Sequence, residues 1–185
     1  MAVQLYLGGM RSGKSCYAEQ QALALYQQQR LAEPKTRLHY IATGEAFDDG
    51  MKERIRQHQE RRDSRWINHE HPLHLAEVLG EFSAHDIVFV DCLSVWLNNV
   101  IHYLGDAADS ACLRSRIADL VEALRMAECT VFCVATEVGL GVIPMNALSR
   151  FYVDHAGLMN QAVAAVAEHV ALIAAGLPVV LKDER

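Results

Sequence analysis

Short, nearly unbroken apolar runs alternate along the chain with longer stretches in which apolar residues recur every three or four positions. The runs at 2–7 (AVQLYL), 37–43 (RLHYIAT), 86–91 (DIVFVD) and 130–136 (TVFCVAT) read as buried strands, and 66–70 as a further brief one. Residues 170–176 and 178–182 close the sheet. Helices are predicted over 14–30, from the turn-like Phe47-Asp48-Asp49-Gly50 to about residue 65, over 72–82 behind Pro72, over 93–104 and 110–126, and over 146–168 as one helix or two. Residues 137–144 read as a loop. Strands apolar on both sides and separated by helices predict an α/β fold, a mostly parallel sheet with helices on both faces.

Composition narrows the class. A chain of 185 residues fits one domain, taken as 1–185, and 51% hydrophobic against 22% charged residues leaves enough apolar side chain for a core. A net charge of -6 argues against general nucleic-acid binding, which draws on a basic face. Five cysteines, odd in number and without a C-x-x-C pair, read as reduced thiols of a cytoplasmic protein. The few apolar residues before Gly8 are too short for a signal-peptide core. Residues 162–181 are apolar enough to imitate a membrane span, yet they contain Glu168, His169, Gly176 and Pro178. An ionised residue near the middle of a span costs roughly 2.5–3.5 kcal/mol, so a buried helix running into short strands is expected there and no membrane span.

The chemistry begins after the first strand. Gly8-Gly9-Met10-Arg11-Ser12-Gly13-Lys14-Ser15 matches G-x-x-x-x-G-K-[ST] between an apolar strand and a helix. The glycines let successive N–H groups converge on a phosphate at the positive end of the helix dipole. Lys14 then bridges the outer phosphates, and the Ser15 hydroxyl takes Mg2+. Asp91 ends an apolar strand where a Walker B carboxylate stands, so Ser15 and Asp91 are the candidate Mg2+ pair of a RecA-like P-loop NTPase fold; a helix cap is the competing reading of Asp91. Neither Asp-x-x-Gly after that strand nor Asn-Lys-x-Asp occurs, and protein-kinase motifs are missing, so a small-metabolite kinase or nucleotidyltransferase ranks above a signalling switch.

Residues 52–65 hold six of the seventeen basic residues, and helical spacing puts Arg54, Ile55, His58, Arg62 and Arg65 on one side. Neighbouring arginines disfavour an imidazolium and keep His58 neutral, the form able to attack phosphorus. A solvated arginine face, phosphate clamping and a covalent role for His58 all remain open on these residues alone.

The segments GGMRSGKS, YIATGEAFDDGMKERIRQHQERR, VFVDCLSVWLNN, TEVGLGVIP and RFYVDHAGLMNQ, in this order, resemble the bifunctional adenosylcobinamide kinase/adenosylcobinamide-phosphate guanylyltransferases of cobalamin biosynthesis. The resemblance implies a homotrimer with two reactions. ATP or GTP phosphorylates the aminopropanol hydroxyl of adenosylcobinamide, and GTP then yields a GMP-histidine intermediate that passes its nucleotide to adenosylcobinamide phosphate. It maps the nucleophile to His58 and nucleotide contacts to the Gly8 to Ser15 loop, Thr43, Gly44, Glu45, Gln59, Glu60, Arg61 and, more weakly, Glu70, with Asp91 beside them. Arg54, Arg62 and Arg65 are further candidates to offset phosphate charge, and Glu137 lies at the sheet edge where ligands bind. Met10 and Thr136 depart from the usual Ala and Asn. His69, His71 and His74 make at most half of a metal site and read as surface residues, and Trp66 and Trp96 read as packing. A plain small-alcohol kinase and a non-catalytic nucleotide-binding regulator are the rival functions.

Overall fold

A computed structural model describes residues 2–45 and 63–184. Seven strands form one sheet: β1 (Ala2–Gly8), β2 (Arg37–Ala42), β3 (Trp66–Glu70), β4 (Asp86–Asp91), β5 (Thr130–Thr136), β6 (His169–Ala174) and β7 (Leu177–Asp183). Their order is β3-β2-β4-β5-β1-β6-β7. All neighbours pair in parallel except β6 and β7. That last pair is antiparallel because only Ala175 and Gly176 separate the strands, and a crossover helix needs about a dozen residues. Both turn residues take positive φ, 52° and 79°, the geometry of a tight hairpin turn.

Strand alternation sorts side chains into two cores. Val3, Leu5, Leu7, Val88, Val90, Val131 and Cys133 face one side, where they meet helices α2 (Leu75–Leu79), α3 (Leu93–Leu104), α4 (Ser110–Met126) and α5 (Ala147–Val166). Tyr6, Leu38, Tyr40, Ile87, Phe89, Phe132 and Val134 face the other, under Ala18, Ala22 and Tyr26 of α1 (Lys14–Ala32). The mostly parallel α/β sandwich expected from the sequence is therefore present, with helices on both faces. The Asp109 and Asn146 side chains cap α4 and α5 by accepting from the N–H groups of Cys112 and Ser149.

Two elements differ from expectation. The helix predicted over 72–82 shrinks to the five residues of α2, because the carbonyls of Pro72 and Leu73 accept side-chain donors from Asn99 (3.2 Å) and Trp96 (2.9 Å). Residues 63–65 form a turn where the polar helix was expected to finish. The apolar stretch 162–181 divides into the end of α5, β6 and β7, and among the described residues no helix is long and apolar enough to cross a membrane. Trp66 and Trp96 are buried packing residues, as expected.

Candidate active site

Strands β1, β2, β4 and β5 all end at one edge of the sheet, the edge at which open α/β folds bind ligands. The loop from Gly8 to Gly13 leaves that edge and turns into α1. Arg11 and Gly13 adopt φ values of 55° and 91°, so the backbone curls back on itself. Gly8 sits under this curl, where a Cβ would stand 2.6 Å from the Ile173 carbonyl oxygen. Helix α1 starts without any side-chain cap and without an acidic residue in its first turn. A helix start of this kind presents the positive end of its dipole, which favours an anion. Lys14 reaches back across the loop, its Nζ donating to the Gly9 carbonyl at 3.3 Å. Gly9 and Met10 are exposed at the crest.

Asp91 and Ser15 meet although β5 intervenes between their strands: the Ser15 hydroxyl donates to Asp91 Oδ1 at 3.3 Å. Helix α1 crosses the sheet far enough to touch both β4 and β5, which brings Ser15 over Asp91. The Tyr40 hydroxyl donates to the other carboxylate oxygen, Oδ2, at 2.5 Å. Sequence reasoning missed Tyr40; its signal was a tyrosine on the face of β2 that also carries Leu38, where a buried hydroxyl needs a partner.

The segment after β2 is built into the fold. Thr43 is fully buried, and its Oγ1 donates to the Cys92 carbonyl and accepts from the Cys92 N–H, both at 2.8 Å. Its hydroxyl is thereby committed to joining the β2 and β4 loops. Asn99, also missed, donates from Nδ2 to the Thr43 carbonyl at 2.7 Å. Glu45 accepts from the Tyr103 hydroxyl at 3.0 Å, which raises the Tyr103 pKa. Gly44 lies between the two anchored residues. Glu137 accepts the Gly139 N–H at 2.6 Å and donates its own N–H to the Gly8 carbonyl, so it borders the phosphate loop. Glu70, exposed at the end of β3, is four strands from β1, roughly 19 Å at about 4.8 Å per strand. His58, Gln59, Glu60 and Arg61, with Arg54 and Arg62, lie outside the described residues. Arg65 is occupied in an ion pair with Asp63.

His69 is more than the surface histidine expected. Its Nε2 lies 3.0 Å from Nδ1 of buried His39, whose Nε2 is 3.2 Å from Asp86 Oδ1. Arg37 clasps the same carboxylate with two hydrogen bonds. Arg37 and Asp86 stand at the starts of β2 and β4, away from the ligand edge, whereas His69 lies one residue before Glu70 near the end of β3. Among the described residues no group of three or more His, Cys, Asp or Glu could hold a metal ion.

The family model of cobinamide kinase / cobinamide phosphate guanyltransferase matches residues 4–181. The chain is 42% identical over 181 residues to a bifunctional adenosylcobalamin biosynthesis protein, CobP, of Pseudomonas aeruginosa, with 97% of each chain covered. It is 32% identical over 188 residues to the bifunctional adenosylcobalamin biosynthesis protein CobU of Salmonella typhimurium, and 30% identical over 188 residues to that of Escherichia coli. Both matches cover 96% of this chain and 98% of the relative. With a glycine-rich loop opening a helix whose Ser15 meets the strand-end carboxylate of Asp91, and matched nearly end to end, the chain belongs to the cobinamide kinase / cobinamide phosphate guanyltransferase family of enzymes.

Proposed function

We propose that this chain is a single catalytic domain that performs both family reactions, on adenosylcobinamide and then on its phosphate. In the first, the aminopropanol hydroxyl of the corrinoid attacks the γ-phosphorus of ATP or GTP, and the bond to the departing nucleoside diphosphate breaks. In the second, a ring nitrogen of His58 attacks the α-phosphorus of GTP and pyrophosphate leaves. A phosphate oxygen of the phosphorylated corrinoid then displaces the histidine, forming adenosylcobinamide-GDP.

The observation that carries the reading is the uncapped start of α1 beneath a loop of curled backbone, with Lys14 and Ser15 in its first turn. Lys14 and the loop N–H groups hold the phosphates and offset charge on the transferring group. Ser15 and Asp91 offer a hydroxyl and a carboxylate 3.3 Å apart, an oxygen-only donor set suited to a hard dication such as Mg2+. A bound Mg2+ supplies charge neutralisation at the phosphates. Glu45, Glu137 and the Gly44 backbone border the same edge, and Glu70, farther along it, remains the candidate for guanosine. Arg61 and Arg62 are proposed to accompany His58 at the α-phosphate, and Gln59 and Glu60 to contact the nucleotide.

A homotrimer is proposed from the family resemblance and is supported by exposed apolar residues on the loop after β5, among them Leu140, Val142, Ile143 and Met145. A cytoplasmic location is supported by five free cysteines.

Incubation with α-labelled GTP and Mg2+, followed by denaturation, tests the transferase half. Label that is acid-labile and alkali-stable, and that disappears in His58→Ala, is the expected result. Absence of such label, with γ-phosphate transfer to the corrinoid retained, would leave a plain kinase. GTP binding with no corrinoid-dependent turnover of any kind would leave a regulator.

A further inference from the structure

The Asp91 carboxylate has two oxygens with different partners, and the donor on Oδ2 belongs to a side chain that cannot follow it if it turns. Parallel register sets Tyr40 opposite Phe89, so Asp91 stands diagonally, two residues further along β4 and on the same face. A diagonal neighbour at that separation is within reach of a long aromatic side chain. Tyr40 is 3% exposed, and its ring lies against two others, Trp66 edge-on at 5.8 Å and Phe89 at 5.3 Å between centroids. Its hydroxyl is therefore fixed in space by packing, and its 2.5 Å hydrogen bond fixes Oδ2 in turn. With Oδ2 held, rotation of the carboxylate is blocked and Oδ1 stays turned toward Ser15 Oγ at 3.3 Å.

We propose that Tyr40 is a positioning residue for the divalent cation that accompanies the nucleotide: it locks the Asp91 carboxylate so that Oδ1 and the Ser15 hydroxyl present one preformed oxygen pair. This rests on the phosphate-loop reading and deepens it. A hydroxyl donating to a carboxylate draws charge from it and so weakens it slightly as a ligand. The lock outweighs this where the alternative is a carboxylate free to rotate out of line, because preorganisation removes an ordering cost from every binding event. A purely structural bond, there to satisfy a buried phenol, would leave cation affinity untouched when removed.

The test is the Mg2+ dependence of binding of a fluorescent GTP analogue to the full-length protein, in wild type, Tyr40→Phe, Asp91→Asn and the double variant. Tyr40→Phe keeps the ring and its packing. The expected result is that the Mg2+ concentration giving half of the Mg2+-dependent gain in affinity rises roughly ten-fold, about the worth of one hydrogen bond to a charged group. Affinity in EDTA should stay within about two-fold of wild type. In the Asp91→Asn background the same change should have no further effect, because the residue acts through that carboxylate. An unchanged Mg2+ midpoint overturns the proposal, as does an equal loss of affinity with and without Mg2+. If wild type itself binds the analogue without any Mg2+ gain, the phosphate-loop reading fails and the proposal with it.

Discussion

Gly176, in the turn of the terminal hairpin, donates its N–H to the carbonyl of Ser12 in the phosphate loop at 2.8 Å. The last two strands thus brace the first loop of the chain. The contact is close enough that a Cβ on Gly13 would stand 3.1 Å from the Gly176 Cα, and Gly13 already carries a φ of 91°. Gly13→Ala should lose about 2 kcal/mol of stability from left-handed strain and crowding together, and should weaken GTP binding as the loop shifts. At Gly176 φ is 79° but nothing lies within 4 Å of an added Cβ, so alanine there should cost only about 1 kcal/mol and spare nucleotide affinity. Urea unfolding with GTP titration of both variants checks the ranking.

Asn99 ties the loops after β2 and β3 to α3, donating to the carbonyls of Thr43 and Pro72. Removing it leaves the buried Thr43 carbonyl and the half-buried Pro72 carbonyl without this donor. Asn99→Ala should therefore cost about 2 kcal/mol. Asn99→Asp should cost more, since a buried carboxylate would face those same carbonyls with no donor to offer. Chemical denaturation midpoints should fall in the order wild type, alanine, aspartate; equal midpoints would show that the two loops are held by other contacts.

The cluster of His39, His69 and Asp86 predicts how stability responds to acid. Burial lowers the pKa of both histidines, outweighing for His39 the hydrogen bond to Asp86. Burial opposes ionisation of Asp86, but hydrogen bonds from Arg37, Ser83 and His39 outweigh it and hold the carboxyl well below the usual carboxylate range. All three groups therefore bind protons more readily in the unfolded chain. Stability should be flat above about pH 6.5 and fall below it as the unfolded histidines take up protons. It should fall again below about pH 3.9, and the Asp86 contribution disappears as pH drops through its folded value. Melting temperatures from pH 8 to pH 3 should show both declines, and Asp86→Asn should flatten the lower one. Asp86 lies five residues from Asp91 along β4, roughly 16 Å, so the same variant should leave the pH profile of turnover unchanged while it stays folded.

Thiol reactivity gives a check on the packing around β4 and β5. Burial pushes the Cys92 and Cys129 thiols up to about 11 and Cys133 to about 12. Cys16 is exposed, and Cys92 and Cys112 are half-buried. At pH 8 an aromatic disulfide reagent should titrate no more than two thiols quickly in the native protein and all five after unfolding. Three fast equivalents would mean that the Cys92, Cys129 or Cys133 thiol ionises more readily than its surroundings imply.

Local features of the sequence were enough to read most of the elements and to nominate part of the candidate site. Unbroken apolar runs identify strands buried on both faces, and the spacing of Gly8, Gly13, Lys14 and Ser15 nominates a phosphate loop because the backbone curl it needs arises within eight consecutive residues. Asp91 was legible as the end of such a run. Its partners were not. Ser15 comes over Asp91 only because α1 crosses β5, and Tyr40 reaches Oδ2 only through the register of β2 on β4. The helix predicted over 72–82 is shorter, Leu75–Leu79, for the same reason, since Asn99 and Trp96 claim carbonyls that its first turn would have needed. His69 finds His39, and Gly176 finds Ser12, across strands far apart in sequence. Periodicity reports how a segment folds on itself, whereas strand order and register decide which distant residues share a hydrogen bond.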